Sequence, residues 1–415
     1  MAFQSTLTAQ TQQLGKEIEQ KITAQFERIE EIAFYNQQKV LAAFRNNQVS
    51  ENHFNGTTGY GYDDEGRDNL ERVYADVFGA ESALVRQQII SGTHAITLSL
   101  FGVLRPGDEL MYITGQPYDT LQSIVDGGDK DTGSLKDWGI GYQHIDLNAA
   151  NKVDFDAVKA AISEKTKVVA IQRSKGYATR PSFTIDEVAE MIQQVRAMKE
   201  DVIIFVDNCY GEFVDYKEPT ELGADLMAGS LIKNPGGGLA KVGGYIAGRA
   251  DLVEKCAYRM TTPGIGAEAG PSLNTLTDMY QGFFLSPHVV SQALKGAVFS
   301  AAILEHVGMT PEPPFDAKRT DLIQSVSFNN AQQMIQFCQA VQQNSPVNAQ
   351  FAPEPSLLPG YTDEVIMAAG TFVQGASIEF SADGPIRPPY TVYMQGGLTY
   401  EHVKTAILSA VQQMH

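Results

Sequence analysis

Two residues carry the chemistry most open to reading. Asp207 ends the apolar run Val202-Ile-Ile-Phe-Val-Asp207 and leads into Asn-Cys-Tyr210, and Lys233 sits within Ser230-Leu-Ile-Lys233-Asn-Pro-Gly-Gly-Gly238. A β-branched apolar run of this kind reads as a buried parallel strand with a carboxylate at its C-terminal end. An acid to hold a protonated pyridine nitrogen and a lysine to form a Schiff base are what pyridoxal 5'-phosphate (PLP) chemistry asks of a protein. Lys233 is therefore the expected covalent attachment point, in preference to Lys241, which follows the glycines in a looser context. Tyr210 is either a contact for the cofactor's phenolic oxygen or an ordinary packed tyrosine.

A phosphate needs donors, and Ile90-Ser91-Gly92-Thr93-His94 follows an expected strand and opens a helix. Helix-terminal N–H groups beside small residues make such a cradle, with Ser230 as a second hydroxyl. Tyr118, in Pro117-Tyr118-Asp119, is a ring that could stack on the cofactor. Arg387, in the stiff loop Gly384-Pro-Ile-Arg387-Pro-Pro, is a candidate clamp for a substrate carboxylate through paired hydrogen bonds. Arg173 and Arg180, beyond another strand end, are rival anion binders. Gly264-Ile-Gly266 lacks the spacing and leading strand of a dinucleotide fingerprint, and Gly236–Gly238 with Lys241 lacks the P-loop pattern.

These residues need a scaffold. Residues 6–46 place Leu14, Ile18, Ile22, Phe26, Ile29 and Ile32 at helical spacing, so residues 1–52 read as a helical arm that packs on its own chain or crosses to a neighbour. From Asn69 helices and strands alternate. Helices are expected over 69–78, 92–104, 154–163 and 184–198, the last opened by a Thr184-x-x-Glu187 capping box. Strands are expected over 81–88, 109–113, 167–172, 202–206, 226–232 and 243–247. Such alternation implies an α/β fold, a mostly parallel sheet flanked by helices, with ligands at the carboxyl ends of its strands. After about residue 285 helices are expected over 288–306, 330–343 and 400–413, with strands over 364–369, 377–380 and 391–395. The expected organisation is an arm (1–52), a large cofactor-binding α/β domain (53–285) and a smaller α+β C-terminal domain (286–415).

Composition narrows the partners. The 415 residues carry a formal net charge of −18, which argues against nucleic acid because no basic stripe stands ready for phosphates. No uncharged stretch is long enough to span a membrane, and Met-Ala-Phe-Gln-Ser-Thr has no signal-peptide pattern. The three cysteines form no C-x-x-C pair, so neither a zinc site nor a disulfide framework is expected, and the seven histidines show no metal-ligand spacing. The expected setting is the cytoplasm.

The chain resembles the aluminium-resistance family of PLP proteins, described as methionine γ-lyase-like or cystathionine β-lyase-like, within the Cys/Met-metabolism group of fold-type I PLP enzymes. The likeness runs from about His53 to the C-terminus. It is carried by Gly59-Tyr-Gly-Tyr-Asp-Asp-Glu-Gly-Arg67-Asp, Ser91-Gly-Thr-His, Gln172-Arg-Ser-Lys-Gly-Tyr, Val206-Asp-Asn-Cys-Tyr-Gly-Glu-Phe, Ser230-Leu-Ile-Lys-Asn-Pro-Gly-Gly-Gly and Gly384-Pro-Ile-Arg. The resemblance implies a Schiff base at Lys233, Asp207 on the pyridine nitrogen, Tyr118 stacked on the ring, and Gly92, Thr93 and Ser230 around the phosphate. It also implies dimers paired into tetramers, with Tyr60, Tyr62 or Arg67 donated to a neighbouring subunit's site. Ile232 stands where sulfur lyases of this group have threonine, and Tyr60-Gly-Tyr62 where they have Tyr-x-Arg. The function so implied is carbon–sulfur lysis of a sulfur-containing amino acid. Aminotransfer or aldol-type cleavage on the same scaffold, and a weakly catalytic PLP protein tied to metal tolerance, are the alternatives.

Overall fold

A computed structural model describes residues 5–128, 131–359 and 361–414. Residues 1–4, which begin the segment read for a signal peptide, lie outside them. The arm forms α1 (Ala9–Lys21) and α2 (Thr23–Asn46). It packs on its own chain: Lys295 pairs with Glu30 at 2.6 Å, and Gln37 donates to the Phe284 carbonyl.

The next segment builds the main sheet. Its strands are β1 (Ser82–Arg86), β2 (Glu109–Tyr112), β3 (Gly141–His144), β4 (Thr166–Gln172), β5 (Ile203–Asp207), β6 (Leu226–Ser230) and β7 (Gly244–Gly248). The helices among them are α3 (Glu65–Phe78), α4 (Gly92–Val103), α5 (Asp119–Val125), α6 (Phe155–Ala161), α7 (Ile185–Met198) and α8 (Ala250–Met260). Strand order is β1-β7-β6-β5-β4-β2-β3. Strands β6, β5, β4, β2 and β3 run parallel, whereas β7 is antiparallel to both its neighbours. Along β4 and β5, Val169, Ile171, Ile204 and Val206 face one core, and Val168, Ala170, Ile203 and Phe205 the other. Burial on both faces is why these strands read as unbroken apolar runs. The Thr184–Glu187 capping box forms as expected.

The C-terminal part comprises α9 (Leu276–His306), α10 (Ala331–Gln342) and α11 (Tyr400–Met414), with β8 (Pro311–Glu312), β9 (Gln324–Ser327), β10 (Ser356–Leu357), β11 (Glu364–Ala368), β12 (Ser381–Pro385) and β13 (Thr391–Gln395). The strands form one antiparallel sheet in the order β10-β11-β12-β13-β9-β8. Two sequence expectations change here. The strand expected over 377–380 is a turn, and extended pairing starts only at Ser381, because Phe380 takes a left-handed backbone (φ 97°) that interrupts a strand. The helix expected from His288 begins at Leu276, so the boundary drawn after residue 285 falls inside α9. Pro287 does not end the helix; it is accommodated within it, and the adjacent Ser286 hydroxyl donates to the Gly282 carbonyl at 2.8 Å.

Helix α9 also braces the segment after Lys233. A Cβ on Gly282 would lie 2.1 Å from the Gly236 carbonyl oxygen, and one on Gly237, at φ 54°, would lie 2.2 Å from the Gly282 oxygen. Backbone meets backbone here, and only glycine fits.

Candidate active site

The carboxyl ends of β4, β5 and β6 open on a cavity of about 220 Å³. Asp207, the last residue of β5, is buried, and one oxygen accepts the Cys209 N–H at 3.1 Å. Burial raises its pKa, while the nearby Lys233 ammonium pulls it down. Lys233 follows β6 in a tight turn, its N–H donating to the Ser230 carbonyl, and its Nζ stands 4.0 Å from the centre of the Tyr210 ring. Burial opposes the ammonium, but Cys209, Tyr210, Asp207 and Glu212 outweigh it and hold the lysine pKa above its ordinary value. Tyr210 presents its ring from a left-handed backbone (φ 70°), and its hydroxyl donates to Ser377. A non-glycine residue held there stores strain of the kind found at functional sites.

Helix α4 points its N-terminus at the same place. Ser91 caps it, accepting from His94 N, and Thr93 lines the cavity. A Cβ on Gly92 would approach Ser230 Cβ to 3.1 Å and Cys209 Sγ to 3.2 Å, so glycine lets the helix end reach the β6 turn. Ser91, Gly92 and Ser230 thus sit beside the cavity and Thr93 in its wall. Tyr118 also lines it, with its N–H donating to Gln172 Oε1 at 2.7 Å and its hydroxyl 2.5 Å from that of Tyr361. Gly176 (φ 57°) lies against the Tyr118 ring, where a Cβ would come within 2.6 Å of its Cδ2.

The donor set fits PLP. An acid at one strand end, a lysine at the next, a tyrosine ring and a glycine-tightened helix terminus meet around one cavity, as that cofactor's nitrogen, aldehyde, ring and phosphate require.

Other expected residues lie elsewhere. Arg173 is fully buried behind the site, with Nη1 donating to Asn208 Oδ1 and the Gly211 carbonyl. Arg180 bonds the carbonyls of Gln172 and Ser174. Arg387 is partly exposed and bound to Asp363 at 2.6 Å. The structure brings none of these arginines into the cavity wall. Lys241 is exposed and pairs with Asp278. Tyr60 and Tyr62 stack on each other, exposed and outside this chain's cavity. Arg67 is buried beneath them, donating to the Gly61 and Gly270 carbonyls, and so shapes the loop that presents both rings.

Several residues escaped the sequence reading: Tyr177, Tyr361, Asp383 and Gln395 in the wall, and Glu212 beneath it. Ser381 and Asp383 alternate along β12, a period-two signal overshadowed by the nearby Arg387. Glu212 is fully buried. It accepts from Tyr245 at 2.8 Å, while its other oxygen has no partner among the described residues. Burial, reinforced by Glu218, raises its pKa from 4.5 to about 8, against its own backbone N–H, Tyr245 and Lys233, which lower it. A carboxyl raised on folding stabilises the fold fully below its unfolded pKa, and that contribution is lost as pH rises to the folded value. Glu212→Gln should therefore match the parent near pH 4.5 and exceed it by on the order of a few kcal/mol at pH 8.5. Urea midpoints at both pH values check this, and parallel profiles would show a carboxylate already charged in the fold.

A mostly parallel sheet carrying this acid, lysine and helix terminus defines the fold-type I class of PLP proteins. Residues 11–415 match the methionine gamma-lyase family model, and the chain belongs to that family, which implies PLP as its cofactor. It is 64% identical over 399 residues to the uncharacterized protein YnbB of Bacillus subtilis, covering 96% of this chain and 95% of that protein. It superposes with a TM-score of 0.96 on a Listeria monocytogenes structure provisionally described as a cystathionine beta-lyase involved in aluminum resistance, at 60% identity over 97% of this chain and 100% of that one. The PLP-dependent protein YhfS of Escherichia coli, at 18% identity and a TM-score of 0.62 over 93% of this chain and 97% of that one, shares the fold alone.

Proposed function

We propose that this chain is a PLP-dependent carbon–sulfur lyase acting on a sulfur-containing amino acid. The observation that carries it is the convergence of Asp207, Lys233 and Tyr118 on one cavity in a chain of the methionine gamma-lyase family. Lys233 would hold PLP covalently, with Asp207 on its pyridine nitrogen and Tyr118 against its ring. Gly92 and Thr93 would offer backbone N–H groups to its phosphate, with the Ser91 and Ser230 hydroxyls beside them. Bound PLP supplies an electron sink for charge at the substrate Cα.

The chain's own groups handle the protons. Lys233 Nζ would take the proton from the substrate Cα. Burial keeps the Tyr118 phenol protonated at neutral pH, so it can donate to the sulfur as the C–S bond breaks. Asp207 would hold a proton on the cofactor's ring nitrogen. The Tyr60–Tyr62 stack is the segment we expect a neighbouring subunit to receive in a dimer of dimers, and its exposure supports that reading. No helix among the described residues is long and apolar enough to cross a membrane; we place the protein in the cytoplasm.

The test is a visible spectrum of the purified protein, then product analysis with cystathionine, cysteine and methionine. Elimination yields keto acid, ammonia and, according to the substrate, a thiol or hydrogen sulfide. Aminotransfer instead requires an amino-group acceptor. Bound PLP with no lyase product from any of the three would sink the substrate claim.

A further inference from the structure

Asp383 is buried in the cavity wall, and its hydrogen-bond partners are all neutral. Tyr177 donates to one oxygen at 2.6 Å, and Ser381 and Gln395 donate to the other at 3.0 Å. Among the described residues lining the cavity, Lys233 is the only cation. Arg173 and Arg387, the expected carboxylate clamps, are engaged elsewhere. A carboxylate withdrawn from water with no counter-charge is costly, and burial raises the Asp383 pKa although its three donors oppose the rise; an arriving cation would favour the charged form. Three aromatic rings surround the same space. Tyr177 lies 5.8 Å from both Tyr118 and Tyr361, and those two are 6.3 Å apart, centre to centre. Aromatic rings beside a carboxylate are surroundings that ammonium groups select.

We propose that Asp383, caged by Tyr177 and Tyr361, binds an ammonium group that the substrate carries in addition to the one it presents to Lys233. The inference rests on the PLP-site reading above and narrows it: the substrate is a thioether amino acid whose second arm ends in an ammonium. An uncharged arm such as that of methionine leaves Asp383 without a counter-charge. Asp383 is a specificity residue here and takes no part in moving protons at Cα.

Two isosteric probes, S-(2-aminoethyl)-cysteine and S-propyl-cysteine, differ by that charge alone. Their dissociation constants on the wild-type holoenzyme, read from perturbation of the PLP absorbance, should favour the aminoethyl compound by on the order of tenfold or more, the scale of one charge-assisted hydrogen bond. Asp383→Asn should erase the difference while leaving PLP absorbance intact and S-propyl-cysteine binding within about threefold. A second readout needs no cofactor: butylammonium, and not butanol, should raise the melting midpoint of the cofactor-free wild type. Equal binding of the two probes, a preference for the propyl compound, or binding of neither to protein that holds PLP overturns the proposal, even if the Asp383→Asn protein fails to fold. Absence of the PLP band from the wild type would instead count against the cofactor reading. The butylammonium comparison would then decide the cation site by itself, and no differential shift would overturn it.

Discussion

Lys233→Ala should strip the protein of its visible PLP band and lower lyase turnover by on the order of a thousandfold or more, because in the function proposed above one side chain would both hold the cofactor and move the Cα proton. Its site has no substitute. Lys241, on the far side of the glycine run, is exposed and paired with Asp278, so Lys241→Ala should leave both readouts unchanged. Lys175 is buried, but it is bonded to Ser325 and absent from the cavity wall. The substitution should also register without cofactor. The Lys233 ammonium favours the charged forms of Asp207 and Glu212, and its removal takes that support from two buried acids, which destabilises the fold as pH rises and they must ionise. A visible band that persists in the alanine protein would refute the assignment of Lys233.

Gly282→Ala should destabilise the protein although it replaces glycine by the best helix former. Alanine in a helix interior gains about 1 kcal/mol over glycine. Here its methyl would meet the Gly236 carbonyl oxygen at 2.1 Å, and that atom belongs to the turn fixed by the Asn234 side chain, which donates to the Glu212 carbonyl. Overpacking against immovable backbone costs roughly 3 kcal/mol, so a net loss of about 2 kcal/mol is expected. Relief would come by pushing the Lys233 turn away from α9, so PLP should also dissociate more readily. Denaturant midpoints and the PLP content after dialysis check both effects. An unchanged midpoint would show that the turn can move without cost.

What could be read from the sequence followed how locally each signal is encoded. Strands β4, β5 and β6 were legible because burial on both faces leaves only apolar residues. Asp207 and Lys233 stood out as polar residues that such strands deliver to their ends. Strand β3 was missed, since Gly141-Tyr-Gln-His lies at the sheet edge, carries no apolar run and is largely exposed. The start of α9 was misread because Pro287 looks like a break until its packing is known. Glu212 and Asp383 gave little signal: a carboxylate's burial is decided by chain segments distant in sequence, Tyr245 for one and Tyr177 for the other. The partners of the arginines, Asn208 for Arg173 and Asp363 for Arg387, could not be assigned in advance for the same reason.

The cavity wall draws on residues from Thr93 to Gln395 of a 415-residue chain. A nascent polypeptide emerging at roughly 5–20 residues per second therefore exposes Asp207 and Lys233 well before Asp383 and Gln395 exist. A finished pocket for the cofactor then exists only once those later segments have been made, and a ribosome-stalled chain ending within α9 should bind PLP far more weakly than the full chain.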